Sequence, residues 1–425
     1  MKKTLQWFKL DYAASFYPVL TTRNTQSIFR LSALLDEKVE PEKLRQALCE
    51  AIVRFPLFKV RQRTGVFWYY FEENEEPFNI FEDDGILLRR IDTKKTNGYQ
   101  FRLCYFGKKI ALDIFHGLTD GVGALVFFKA ILYKYALLTG HKPVGGKVIN
   151  FDEEITPEEL EDSFSRYALK TKLKDLGLDR FTGKSPMITK GHHFVGAGYG
   201  TITGEISASQ LKETAKKYGC TLTQYLCAVL SYAFITRSKK KNKPFVLMLP
   251  VNFRVQFPSK SLKNFVSFVK ITVNPKEVET FEDMVQKVKE QMEKVMTKQE
   301  MQNLINTTVK GQSLPLFKFL VLPLKYLFIR IGKIFYKARH TVIFSNLGVT
   351  DLPENMGVDK IIFNLNVSKN NPVNCAAVTT GDKLMVTFTR TIVETEIERL
   401  FFTKIASDGV KVSVMSNFRE EQNVL

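Results

Sequence analysis

The stretch Lys109-Ile110-Ala111-Leu112-Asp113-Ile114-Phe115-His116-Gly117-Leu118-Thr119-Asp120-Gly121 decides how this 425-residue chain is read. Lys109 to Phe115 is an apolar run of strand length. From Val122 to Tyr135 the apolar residues Leu125, Phe128, Ile131, Leu132 and Tyr135 recur at helical spacing. His116 therefore stands at a strand end, before a glycine turn and a helix start. This is a suitable place for a rigidly held general base. A free imidazole titrates near pH ~6.5, so at neutral pH it can take a proton from an alcohol or amine. Asp120, four residues on, either orients His116 or turns away and pins the loop through an arginine. Gly121 permits a tight turn and close backbone approach. The same residues also fit a core histidine beside an ordinary Asp-Gly turn.

Other stretches decide between these readings. Trp7-Phe8-Lys9-Leu10-Asp11-Tyr12-Ala13-Ala14, Arg54-Phe55-Pro56-Leu57-Phe58, Pro250-Val251-Asn252-Phe253-Arg254, Leu262-Lys263-Asn264-Phe265 and Ser345-Asn346-Leu347-Gly348 fall in that order along the chain. With His116-x-x-x-Asp120-Gly121 they resemble the superfamily of chloramphenicol acetyltransferase, carnitine and plant acyltransferases, and peptide-synthetase condensation domains. The likeness is strongest to bacterial alcohol-acetyltransferase-like proteins, and it spans essentially the whole chain. Condensation domains usually carry two adjacent histidines; Phe115 stands in the first position here, and His116 matches the catalytic second one. The plant Asp-Phe-Gly-Trp-Gly element is absent.

The resemblance implies an α+β fold of two chloramphenicol-acetyltransferase-like lobes with mixed sheets and a central tunnel. The expected division is residues 1–180, carrying the His116 motif, and 181–425. It also implies His116 as general base and Asp120 turned away to pair with Arg254. Asn264 would hold the crossover backbone, and Ser345 and Asn346 would face an oxyanion or substrate. Acyl-CoA is the implied co-substrate and a hydroxyl the acceptor. An acyl carrier protein is the alternative donor, and a non-catalytic binding protein of the same fold is a further alternative. No Gly-x-Ser-x-Gly elbow occurs and no cysteine adjoins a histidine, so no covalent acyl-enzyme is expected.

Composition is that of a globular protein, 44% apolar and 25% charged, with 35 phenylalanines that suit a bulky core. The five cysteines form no Cys-x-x-Cys pair, and His192-His193 is the lone histidine pair, so neither disulfides nor a metal site is expected. Lys9 and Asp11 interrupt the apolar N-terminal run, which argues against a secretory signal. No uncharged apolar stretch reaches ~18 residues, and a cytoplasmic location is the default. The net charge of +18 calls for anionic partners. No nucleic-acid motif is present. The run Arg237 to Lys243 reads as a solvated loop that could also meet coenzyme A phosphates.

Residues 314–339 combine six basic residues with large apolar ones and contain no acid. Lys318, Lys325, Arg330, Lys333 and Lys337 cannot all be buried unpaired. Such a segment either packs with its lysines outward or lies in an acidic membrane interface, which would place the protein at the inner membrane face. Elsewhere the pattern predicts strands at Ser27–Leu35, Val66–Phe71, Thr201–Ile206, Phe245–Asn252, Val266–Val273 and four more near the C-terminus. Helices are expected from Pro41, Ser209, Thr223, Phe281 and Glu394, with an acidic, helix-prone stretch at Asp152–Asp162 and a crossover at about 170–195. This irregular alternation argues for α+β rather than a wound parallel sheet.

Overall fold

The computed structural model describes residues 5–21, 26–170, 185–194, 199–238, 242–313, 320–335, 340–368 and 370–417. The 180/181 division, most of the crossover, residues 239–241 of the basic run, and 314–319 and 336–339 lie outside the described residues.

The architecture is mixed α+β. The first sheet has five strands in the order β12 (Val358–Asn364), β2 (Ile28–Leu35), β7 (Lys109–Phe115), β6 (Phe101–Phe106) and β5 (Ile80–Glu82). All neighbours are antiparallel except β5 and β6. The second sheet has seven strands. Their order is β10 (Val266–Val273), β9 (Phe245–Asn252), β11 (Val342–Val349), β13 (Val373–Thr380), β14 (Lys383–Arg390), β8 (Gly200–Ser207) and β15 (Val412–Ser416). β11 runs parallel to both β9 and β13, and the other pairs are antiparallel. A small third sheet joins β1 (Trp7–Lys9), β4 (Tyr69–Glu73) and β3 (Val60–Thr64). The C-terminal half thus contributes β12 to the first sheet, beside β2.

The segment that opened the sequence reading folds as its pattern dictates. β7 ends at Phe115, and Asp120 caps an 18-residue helix, Gly121–Leu138, by accepting from the Val122 and Gly123 amides. This helix is apolar and long enough to cross a bilayer, but it packs as a core helix. Phe127 stacks on Phe58 at 4.2 Å and meets Phe55 and Phe101 edge-on. The helix Pro41–Ile52 covers it, burying Leu44, Ala47, Leu48, Ala51 and Ile52 on one face.

Two expectations are corrected. Val66–Trp68 are not strand: they form the tip between β3 and β4, where the Gly65 amide donates to the Trp68 carbonyl. The acidic stretch 152–162 yields only one short helix, Pro157–Leu160, and a second, Ser163–Tyr167, follows it. Arg54 closes this region with a bidentate pair to Glu159 at 2.8 and 3.0 Å. All five cysteines are free, and Cys49 alone among them is exposed.

The polar centre of the first sheet is a buried ion network. Arg30 grips Asp113 at 2.7 and 2.8 Å and Asp83 at 2.9 Å, and all three side chains are fully enclosed. Arg102 and Lys109 complete the neutralisation. Removing one partner from such a set leaves charge buried without compensation. Arg30→Ala is therefore expected to lose about 3 kcal/mol of stability in urea unfolding. A change within error would show that Arg102 and Lys109 suffice.

Candidate active site

His116 sits just past β7, its amide donating to the Ser27 carbonyl at 2.8 Å. Its ring stacks on Tyr17 at 4.6 Å and meets Phe29 edge-on at 5.1 Å. The remaining anchor comes from the other half of the chain. Asn264 Oδ1 lies 3.1 Å from His116 Nδ1, and Asn264 Nδ2 donates to the His116 carbonyl at 3.2 Å. Asn264 Nδ2 and the Asn264 amide also donate to Asp11 Oδ2, at 3.2 and 3.1 Å.

This chain of bonds favours one imidazole tautomer. With both Nδ2 hydrogens committed, to Asp11 and to the His116 carbonyl, the amide oxygen must face His116. That oxygen can only accept, so Nδ1 carries the proton and Nε2 keeps its lone pair. Burial pulls the His116 pKa below the ordinary histidine value, against its own carbonyl, Asp120 and Asn264, which favour the charged form. Burial, reinforced by Asp162, pushes Asp11 up to about 7, although the Ala14 and Asn264 hydrogen bonds favour its carboxylate.

Asp120 turns away from the imidazole. Its second oxygen accepts from Arg254 at 2.8 Å and from the Phe265 amide at 2.8 Å. Arg254 is itself held by the carbonyls of Ser261 and Lys263. Asp120 thus ties the His116 loop to the segment 261–265 that leads into β10 and carries Asn264. Gly121 packs closely on the second lobe: a Cβ there would lie 2.6 Å from the end of the Leu347 side chain, which would have to shift. Gly123 is more constrained still, because its Cβ would meet Thr119 Oγ1 at 2.2 Å and the Leu262 carbonyl at 2.5 Å.

The structure therefore brings His116, Asp120, Gly121, Arg254 and Asn264 into one cluster. Ser345 and Asn346 lie on β11, whose end reaches the loop through Leu347. Asn346 is engaged elsewhere: it donates to Thr223 at 3.2 Å and accepts from the Gly348 amide at 2.9 Å. Ser345 is buried in the same strand. Sequence reasoning missed Asp11 as a site residue, although the opening stretch that contains it had been singled out. A cavity of about 850 Å³ lies nearby, walled by Tyr12, Trp68, Tyr69 and Tyr70 with Lys9 and Lys263.

No family model matches the chain, and no curated protein matches it in sequence. Solved structures do match it. The epimerization domain from the third module of tyrocidine synthetase B aligns at a TM-score of 0.63 and 12% identity, over 95% of this chain and 96% of that one. The trichothecene 15-O-acetyltransferase TRI3 from Fusarium sporotrichioides aligns at 0.61 and 11%, over 94% of each chain. TRI101 from F. sporotrichioides, complexed with coenzyme A and T-2, aligns at 0.57 and 12%, over 96% of this chain and 99% of that one. At these identities the likeness is one of fold. The chain has the two-lobed fold of condensation domains and chloramphenicol-acetyltransferase-like acyltransferases.

Nitrogen-15 NMR of the histidine side chain at pH 8 tests the tautomer directly. The wild type should show Nδ1 protonated and Nε2 bare. Asp11→Ala should mix the tautomers, whereas Asp11→Asn, which can still accept from Asn264, should restore the wild-type pattern.

Proposed function

We propose that this chain is an acyltransferase that moves an acyl group from acyl-CoA to a hydroxyl acceptor, with His116 as general base. The observation that carries this reading is the Asn264 contact with Nδ1, which favours an unprotonated Nε2 on a rigidly held ring. Nε2 takes the hydroxyl proton as the acceptor oxygen attacks the thioester carbonyl carbon. The tetrahedral intermediate then collapses, the C–S bond breaks, and Nε2–H returns its proton to the leaving thiolate. Asp120 and Arg254 position the loop and do not touch the reacting atoms. Ser345 is the candidate donor to the oxyanion, since the Asn346 side chain is already committed. A preorganised donor of this kind is worth a few kcal/mol.

The bound coenzyme A in TRI101 supports a CoA donor on this fold. The match to an epimerization domain of a peptide synthetase favours a second reading, in which the acyl group arrives on a carrier protein. In both readings the acyl group is carried on the co-substrate, and the mechanism uses no resident cofactor.

Free-thiol release from acetyl- to palmitoyl-CoA, with mixed alcohols as acceptors, tests the proposal. His116→Ala should lower acceptor-stimulated release by about 10²–10⁴-fold. Absence of release from every CoA by folded enzyme would shift the assignment to the carrier-bound donor, and failure of carriers too would leave a binding role. A burst of one CoA per enzyme before acceptor is added would overturn the direct-transfer mechanism.

The pH profile follows from His116's burial. The base must be neutral to act, and its pKa is lowered, so it stays neutral at more acidic pH than a free imidazole. The acid limb of kcat/KM should therefore fall below pH ~6.5. An acid limb above that value would remove His116 from the base role.

A further inference from the structure

The β3–β4 tip and the helix Leu322–Phe335 are bound to each other and leave one apolar face uncovered. The Leu322 amide donates to the Val66 carbonyl at 2.9 Å. Lys325 Nζ donates to the Phe67 carbonyl at 2.8 Å and sits 3.2 Å over the Trp68 ring. Tyr326 and Tyr69 share a hydrogen bond between their hydroxyls. With these contacts turned inward, Leu324, Leu327 and Phe328 fall together on the opposite side of the helix at i, i+3, i+4 spacing. They and the neighbouring Trp7, Val66 and Phe67 are each 42–68% exposed. Trp7, Val66 and Phe67 also line the aromatic cavity of about 850 Å³.

Beside this face the charge changes sharply. Tyr69 and Tyr326 form a wall of a second cavity, of about 580 Å³, lined also by Arg61, Arg63, Arg90 and Lys94. Among the described residues no carboxylate lines it. Arg61 and Arg63 share Glu72, whereas Arg90 and Lys94 have no ion-pair partner among the described residues. The helix itself belongs to the stretch 314–339, which holds six bases and no acid.

We propose that this face docks on an anionic phospholipid surface. Leu324, Leu327 and Phe328 enter the interfacial layer, while the Arg61/Arg63/Arg90/Lys94 cavity takes up lipid phosphates. Exposed apolar side chains close to a cavity lined by four cations and, among the described residues, no carboxylate are complementary to an acidic bilayer. A second copy of the chain suits the face poorly, because two molecules of net charge +18 would bring like charges together. Docked in this way, the aromatic cavity opens toward lipid, and a greasy molecule would reach it without crossing water. The docking itself does not depend on the acyltransferase reading.

Vesicle flotation tests this, with phosphatidylcholine alone and with phosphatidylcholine–phosphatidylglycerol mixtures at 0.1 M and 0.5 M NaCl. The full chain should float with the anionic vesicles only, and less at the higher salt. Leu324→Ser/Leu327→Ser/Phe328→Ser and Arg90→Gln/Lys94→Gln replace exposed side chains, so unchanged thermal unfolding should certify both folds. Each should weaken binding at least tenfold, and the second should also flatten the salt dependence. The proposal fails if the wild type stays with the soluble fraction. It also fails if binding survives both variants, or if the triple variant instead abolishes a dimer seen by light scattering. Because the readout is vesicle binding, it stands or falls apart from acyl transfer.

Discussion

A single buried carboxylate organises this molecule. Asp120 is fully enclosed, and its two oxygens accept four hydrogen bonds. One oxygen caps the helix that follows it, which Ser or Thr could also do. The other meets a guanidinium and a backbone amide from the opposite half of the chain, and an arginine there requires a charge. Burying an ion is costly unless it is paired and fully hydrogen-bonded. Asp120 meets both conditions only when the two halves are together, so the helix cap, the His116 loop and the approach of the lobes form one cooperative unit. Gly123 belongs to the same constraint, because a side chain there would wedge the loop away from the Leu262 backbone.

The same web places the imidazole. Lys263 and Asn264 are successive residues: the carbonyl of the first binds Arg254, and the side chain of the second binds His116. Tension on one is transmitted to the other through a single peptide. Asp11 sets the far end of this line, holding the Asn264 amide and Nδ2 as well as the Ala14 amide. Its raised pKa means that burial, reinforced by Asp162, outweighs what three donors supply. The ring's tautomer thus depends on a residue that never touches it.

How far the sequence could be read follows from where each signal resides. β7, the turn and the helix Gly121–Leu138 are local, so strand-like apolarity and a helical repeat disclosed them, with His116 and Asp120 between. Strands β9 and β10 were legible with their boundaries because β9 is a long apolar run and β10 interleaves apolar and β-branched residues with polar ones. Arg254 and Asn264 came into view only through family likeness, since nothing local marks either one. Asp11 lies 253 residues from the group it holds, and His192 lies 202 from the Glu394 that meets it. No spacing rule spans such distances. The β3–β4 tip misled for a different reason. Val66, Phe67 and Trp68 have strand-like side chains, but Gly65 turns the chain and leaves Val66 and Phe67 exposed. β6 was hidden by Arg102, whose charge is masked only in the fold, by Asp113.

Lys325 shows how a sequence rule can hold and still mislead about placement. Cations in an apolar helix cannot be buried without partners, and Lys325 is fully buried with no acid as its partner among the described residues. Its partners are a carbonyl and the face of an indole, donated by the tip that the sequence had assigned to a strand. Neither carries the full charge that would hold a lysine at its ordinary pKa, and desolvation brings Lys325 down to about 8. The folded protein therefore binds this proton less readily than the unfolded chain does. Its contribution to stability improves as pH rises from the folded value toward that of a free lysine. Such an arrangement is a poor way to gain stability and an effective way to fix geometry. It locks the helix to the tip in one register and turns Leu324, Leu327 and Phe328 outward, where ordinary folding would have buried them.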